Sequence, residues 1–95
     1  SLNVTITLNH PIHVVLDIEK YLFIVDQSNN RIIGSNEDGF HCIVGCTGSS
    51  GSFANTLYWS SSMAFDSFGN IYVVDEFNHR IQKFLRLNNT LSNYL

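Results

Sequence analysis

Four histidines, two cysteines and two acid–arginine pairs are the residues of this chain with the richest chemistry. His10, His13, His41 and His79 are scattered, whereas a catalytic zinc needs three protein ligands converging on one point with a fourth position open. Cys42 and Cys46 are separated only by Ile-Val-Gly. Four residues of flat strand span about 13 Å, and a disulfide wants Cα atoms within about 7 Å. A bond therefore requires the chain to turn between them, and Gly45 can supply that turn. A pair so close at a strand-to-loop junction favours the bridge, and with it a lean towards an oxidising, extracellular setting. The same pair is a poor zinc site, because two further ligands are missing. No serine sits in G-x-S-x-G, and GCTGSSGS (45–52) has neither the Lys-Ser/Thr ending nor the following helix of a phosphate cradle. The chain is thus expected to be non-catalytic and to carry no cofactor. Asn3-Val4-Thr5 and Asn88-Asn89-Thr90 are glycosylation sequons, but about two are expected by chance in a sequence this rich in Asn, Ser and Thr.

The acid–arginine pairs are more informative because they repeat. IVDQSNNRI (24–32) returns forty-nine positions later as VVDEFNHRI (73–81), and residues 11–33 align with 60–82 without a gap. Asp17/Asp66, Asp26/Asp75, Asn29/Asn78 and Arg31/Arg80 are identical pairs. A fixed period of this length marks a solenoid, propeller or array. A ligand site built from Asp26, Arg31, Asp75 and Arg80 would be odd in both copies, so these residues read as structural. Each Asp is expected to accept hydrogen bonds from the N–H groups of the turn that follows it. Each Arg is expected to pair with an acidic neighbour, and Asn29 and Asn78 to occupy the left-handed position of the turn.

What must position these residues is a β unit. YLFIV (21–25) and IYVV (71–74) are short, β-branched and aromatic, each closed by an Asp. Turn formers precede them at 18–20 and 67–70. Gly69 can take a positive φ where its counterpart Lys20 cannot do so cheaply, so the first turn should differ in type or be mildly strained. A third strand starts at each Arg-Ile, and a fourth fits 40–44. No apolar stripe of period 3.6 supports a helical alternative. Four short antiparallel strands per repeat make a propeller blade. The fold class is all-β, with two four-stranded blades of an incomplete ring. Residues 1–10 read as the outer strand of a preceding blade plus a connector. Residues 11–59 are the first blade with its inter-blade loop, and 60–95 the second, with TLSNYL (90–95) where its outer strand should fall.

The phrases themselves resemble a known family. PIHVVLD (11–17) and SSSMAFD (60–66) are similar to the P-x-G-I-A-V-D phrase of NHL repeats, and the two Asp-to-Arg phrases to its V-A-D-x-x-N-x-R-I. The Gly-rich stretch before Tyr58 looks like the family's inter-blade loop. His13 and Ser62 stand where the family has Gly, and Ser60 where it has Pro. The resemblance implies a propeller acting as a recognition scaffold, with rim loops binding a protein or peptide. In some relatives such a propeller is the substrate-binding part of a ubiquitin ligase. In another class, the metal-dependent amidating lyases that cleave peptidyl-hydroxyglycine, histidines facing the channel hold a metal. His13 is on the strand expected to line that channel, but its counterpart is Ser62.

Composition agrees with a folded domain and narrows the partners. Charged residues are only 14% against 44% hydrophobic, which argues against a disordered chain. The net charge is −3 and the five Lys and Arg are dispersed, so nucleic acid, which needs clustered cations, is not an expected partner. No apolar run approaches the length of a membrane helix, and no membrane insertion is expected. Two blades leave blade faces uncovered. The remaining blades are expected from the same longer chain and, as the second choice, from further copies closing a ring. Phe53, Tyr58 and Trp59 form an aromatic exit from the Gly-rich loop. They read either as a binding loop or as packing of that loop against the blade, with packing the favoured reading.

Overall fold

The computed structural model describes residues 6–47, 51 and 56–86. Strands β1 (Pro11–Leu16), β2 (Leu22–Asp26), β3 (Arg31–Asn36) and β4 (Gly39–Val44) form one antiparallel sheet in chain order. Strands β5 (Ser62–Phe65), β6 (Ile71–Asp75) and β7 (Arg80–Phe84) form a second. The described residues contain no α-helix. Single 3-10 turns at Gln27–Asn29 and Glu76–Asn78 link the second and third strand of each sheet. The expected outer strand at 90–95 and the sequons at Asn3 and Asn88 lie outside the described residues. Of the strand expected at NVTITL (3–8), the described residues 6–8 belong to no strand.

The first turn of each sheet is the same turn. Asp17 N–H donates to Tyr21 O at 3.0 Å, and Asp66 N–H to Asn70 O at 3.1 Å. Each Asp then uses one carboxylate oxygen to accept two turn N–H groups: Glu19 and Tyr21 at 3.0 and 2.8 Å, Phe68 and Asn70 at 2.9 and 3.0 Å. Lys20 has φ 67° and Gly69 φ 84°. Of the two expectations for the first turn, mild strain is the one realised. The left-handed conformation costs a side-chain-bearing residue about 1–2 kcal/mol, and glycine's extra unfolded-state entropy returns about 0.5–1. Lys20→Gly should therefore stabilise the chain by about 0.5 kcal/mol, read as a higher urea midpoint at unchanged m-value.

Alternation along the strands gives each sheet two faces. Phe23, Val25, Ile32 and Val44 of the first sheet share a core with Met63, Ile71, Val73 and Phe84 of the second, and Leu57 of the connection is sealed into it. Phe23 meets Phe65 edge to face, with ring centroids 4.8 Å apart. Strands β1 and β5 lie against each other, so the sheets stack through their first strands and inner faces. Close packing within the first sheet explains Gly34: an added Cβ would come within 2.9 Å of both Phe23 on β2 and Ile43 on β4.

The stacking has a direction. The second sheet covers Phe23, Val25 and Ile32 of the first, but the positions forty-nine residues later, Tyr72, Val74 and Ile81, lie on the far face of the second sheet. Ile32 is 0% exposed and Ile81 is 68% exposed. Lys83, also on that far face, places its ammonium over the Tyr72 ring at 5.4 Å. One repeat position is thus core in the first copy and surface in the second.

Candidate recognition rim

The strand pairings put Pro11, Asp26, Arg31 and Val44 at one end of the first sheet, and Ser62, Val74, Asp75 and Arg80 at the same end of the second. This rim gathers most of the residues singled out from the sequence. Asp26 and Asp75 are both fully buried. Asp26 accepts from Arg31 Nε at 2.7 Å and Asn29 Nδ2 at 2.9 Å, and Asp75 from Arg80 Nε at 2.8 Å and Asn78 Nδ2 at 2.9 Å. The other oxygen of each carboxylate accepts a backbone N–H, from Asn9 in one copy and Tyr58 in the other, both at 2.7 Å. Gln82 adds a fourth donor to Asp75 at 3.2 Å.

Two details differ from the expectations. The buried carboxylates hold the turn that follows them only through the side-chain amide of its Asn; the backbone N–H each accepts comes from the segment leading into the first strand of its own sheet, seventeen residues upstream. A carboxylate at the end of β2 or β6 points inward towards that segment, whereas the 3-10 turn satisfies itself through Asn30 N–H to Gln27 O and His79 N–H to Glu76 O. The left-handed residues are Asn30 (φ 53°) and His79 (φ 54°), not Asn29 and Asn78, whose side chains are the donors to the carboxylates. Each Arg also reaches back to the lead-in, Arg31 to Thr7 O at 2.8 Å and Arg80 to Thr56 O at 3.2 Å. Asp, Asn and Arg therefore clamp one segment from three sides. Burial pushes the Asp75 carboxyl up, but hydrogen bonds from Tyr58 N–H, Asn78, Arg80 and Gln82 outweigh it and hold the group below its ordinary value of 3.8.

The two rims are tied across the sheets. Asn30 Oδ1 accepts Trp59 N–H at 2.8 Å, and buried Gln27 donates to Ser60 O at 3.2 Å while its Oε1 meets His10 Nδ1 at 2.6 Å. Ser60 is fully buried and its hydroxyl has no hydrogen-bond partner. It occupies the position of Pro11 in the first repeat. An unsatisfied buried hydroxyl costs about 1–3 kcal/mol, so Ser60→Ala should raise stability by about 1 kcal/mol, measured by thermal or urea unfolding.

Cys42 and Cys46 form a disulfide, with Cα atoms 5.7 Å apart. Gly45 makes the intervening turn at φ 73°, pressed so closely on Asn30 O that a side chain there would collide with the backbone. The bridge therefore buttresses the turn whose Asn30 holds Trp59. A cleft beside it is lined by Thr7, Asn29, Arg31 and both cysteines, but Arg31 is already engaged with Asp26 and Thr7. Among the described residues no three His, Cys, Asp or Glu side chains come together. His13 is half-buried on β1, His41 bonds Asn36 at 3.0 Å near the opposite end, and only His10 and His79 are on the rim.

Aromatic side chains form the largest exposed group among the described residues of the rim, beside the exposed Glu76 and His79. The expected loop residues divide: Tyr58 is 43% exposed, Trp59 is half-buried, and Phe53 lies outside the described residues. Leu57, their neighbour, is the one that packs into the core. Two further rings join them. Phe77, 53% exposed, lies 5.2 Å from Tyr58 and 5.8 Å from Trp59, and His10 stacks on Trp59 at 5.9 Å. The sequence carried a signal for Phe77, an aromatic on a polar turn where the other copy has Ser28; His10 had none, because its contact crosses between sheets.

These features define a β-propeller-type repeat unit: two antiparallel sheets stacked face to face, each braced by the same buried Asp, Asn and Arg. The model of the SBBP β-propeller repeat family matches residues 45–74, from the disulfide turn through the connection to β6. No curated protein matches the sequence.

Proposed function

We propose that this chain is part of an NHL-type propeller and acts as a non-catalytic scaffold that recognises a protein or peptide at its rim. The observation that carries the reading is the division of labour at that rim. The repeated polar groups are spent on the fold in both copies, whereas four aromatic rings from two sheets and their connection form a continuous, partly exposed run. Aromatic side chains in such a setting supply large contact area at small entropic cost. The NHL assignment rests on the two Asp-to-Arg phrases and the preceding Pro- and Ser-led phrases.

The far face of the second sheet supports further blades. Val74, Ile81 and Leu85 are exposed there at positions that, in the first sheet, correspond to a covered face. The first choice for its cover is another blade of the same longer protein, and the second a further copy stacked head to tail. The disulfide supports an extracellular setting.

Peptide display tests the recognition reading. Selection against the chain should enrich peptides that are lost when Tyr58 and Phe77 are both changed to Ser, positions exposed enough to leave the fold intact. Identical peptide pools on both proteins would refute rim recognition.

A further inference from the structure

The free chemistry of the rim is narrower than its composition suggests. Gln27, Asn29, Asn30 and Asn78 are all there, but each is already hydrogen-bonded within the fold. They are poorly placed to meet the hydroxyls of a sugar. Among the described residues, what remains is the faces of Tyr58, Trp59, Phe77 and His10, the exposed imidazole of His79, and one exposed carboxylate, Glu76, next to Phe77 in the chain.

Charge points the same way. The rim's two cations, Arg31 and Arg80, are neutralised by Asp26 and Asp75. The remaining cations are elsewhere. Lys20 is in the turn at the opposite end, Arg86 lies beside Gly69 there, and Lys83 sits over Tyr72 on the far sheet face. The whole connection 45–59 contains no charged residue. The described residues of the rim therefore combine electron-rich ring faces with one negative charge that has no ion-pair partner among them, and that combination attracts a planar cation.

We propose that the run His10, Trp59, Phe77 and Tyr58, with Glu76 at its edge, docks a peptide segment through an arginine side chain. The guanidinium stacks on the exposed rings of Phe77 and Tyr58, and Glu76 supplies the counter-charge. A guanidinium suits this surface better than an ammonium because it is flat and more weakly hydrated. This inference rests on the rim-recognition reading above and specifies its ligand.

Trp59, the single tryptophan of the chain, is a built-in reporter. The test titrates the chain with the peptide Gly-Pro-Arg-Gly-Arg-Pro-Gly, capped at both ends, and follows Trp59 emission. The same titration is run with Gln in place of both arginines and with a cellohexaose control. The expected result is a saturable change with the arginine peptide, about tenfold weaker with the glutamine peptide. Affinity should fall about fivefold in Glu76→Gln and by at least as much in Phe77→Ala, as loss of a cation–aromatic contact or its counter-charge would produce. Circular dichroism of both variants checks that the sheets persist. Equal binding of the two peptides, response to the sugar alone, or no response to the arginine peptide overturns the inference. If display meanwhile yields rim-dependent peptides lacking basic residues, the arginine proposal fails and rim recognition stands; if it yields none, rim recognition itself fails.

Discussion

Replacing Asp75 by Ala is expected to lower stability by about 3–5 kcal/mol, because it removes the fully buried partner of a charge pair. The carboxylate is fully buried and holds Tyr58 N–H, Asn78, Arg80 and Gln82 at once. Its loss takes one acceptor from Arg80 and the side-chain acceptor of Tyr58 N–H, and loosens the lead-in of the second sheet, which Arg80 still holds at Thr56 O. A natural single domain has a total stability of about 5–15 kcal/mol, so the variant should lose a large fraction of it. Urea unfolding followed by circular dichroism measures it; a loss under about 1 kcal/mol, the range of an exposed ion pair, would show that the clamp is ornamental. Acid provides a second reading. The folded carboxyl titrates below its ordinary 3.8, so its stabilisation is present above that value and is lost as pH falls through the folded value. Asp75→Asn, which keeps the shape and loses the charge, should be less stable than the parent at pH 7 and should show a shallower further loss between pH 5 and pH 2.

The second large effect comes from one repeat position met twice. Ile32→Ala should cost about 3 kcal/mol, in the range for a large aliphatic side chain removed from a closed core. Ile81→Ala, at the equivalent place in the second copy, should cost less than about 0.5 kcal/mol, as surface substitutions do. The residue type, strand and preceding Arg are the same; what differs is exposure, 0% against 68%. Urea unfolding of the two variants side by side makes the comparison. A large cost for Ile81→Ala in the isolated chain would mean that the far face is covered in solution. Sedimentation would then show copies stacking on it.

The seven described strands, their order and their turns were legible because they follow from local patterns: β-branched runs closed by Asp, turn formers between them, and a copy of the whole to check against. Asp26, Arg31, Asp75 and Arg80 were recognisable as bracing because they recur together. Their targets were not, since the N–H groups of Asn9 and Tyr58 are seventeen residues upstream and no local spacing rule reaches them. Asn29 and Asn30 were confused for a related reason. Either Asn can take a left-handed turn, and only the inward carboxylate decides which one becomes a donor instead. The rim was half visible: Tyr58 and Trp59 stood out as an aromatic pair, while Phe77 and His10 joined them through the stacking of separate elements.

By itself, then, the chain specifies two β units of one design, because strand and turn formation answer to side-chain type and short-range spacing. Which face of a unit becomes interior is a different kind of question, since burial depends on what lies opposite. The Arg-Ile phrase is core in the first sheet and surface in the second, and four rings from distant positions become one rim, only after the sheets have stacked.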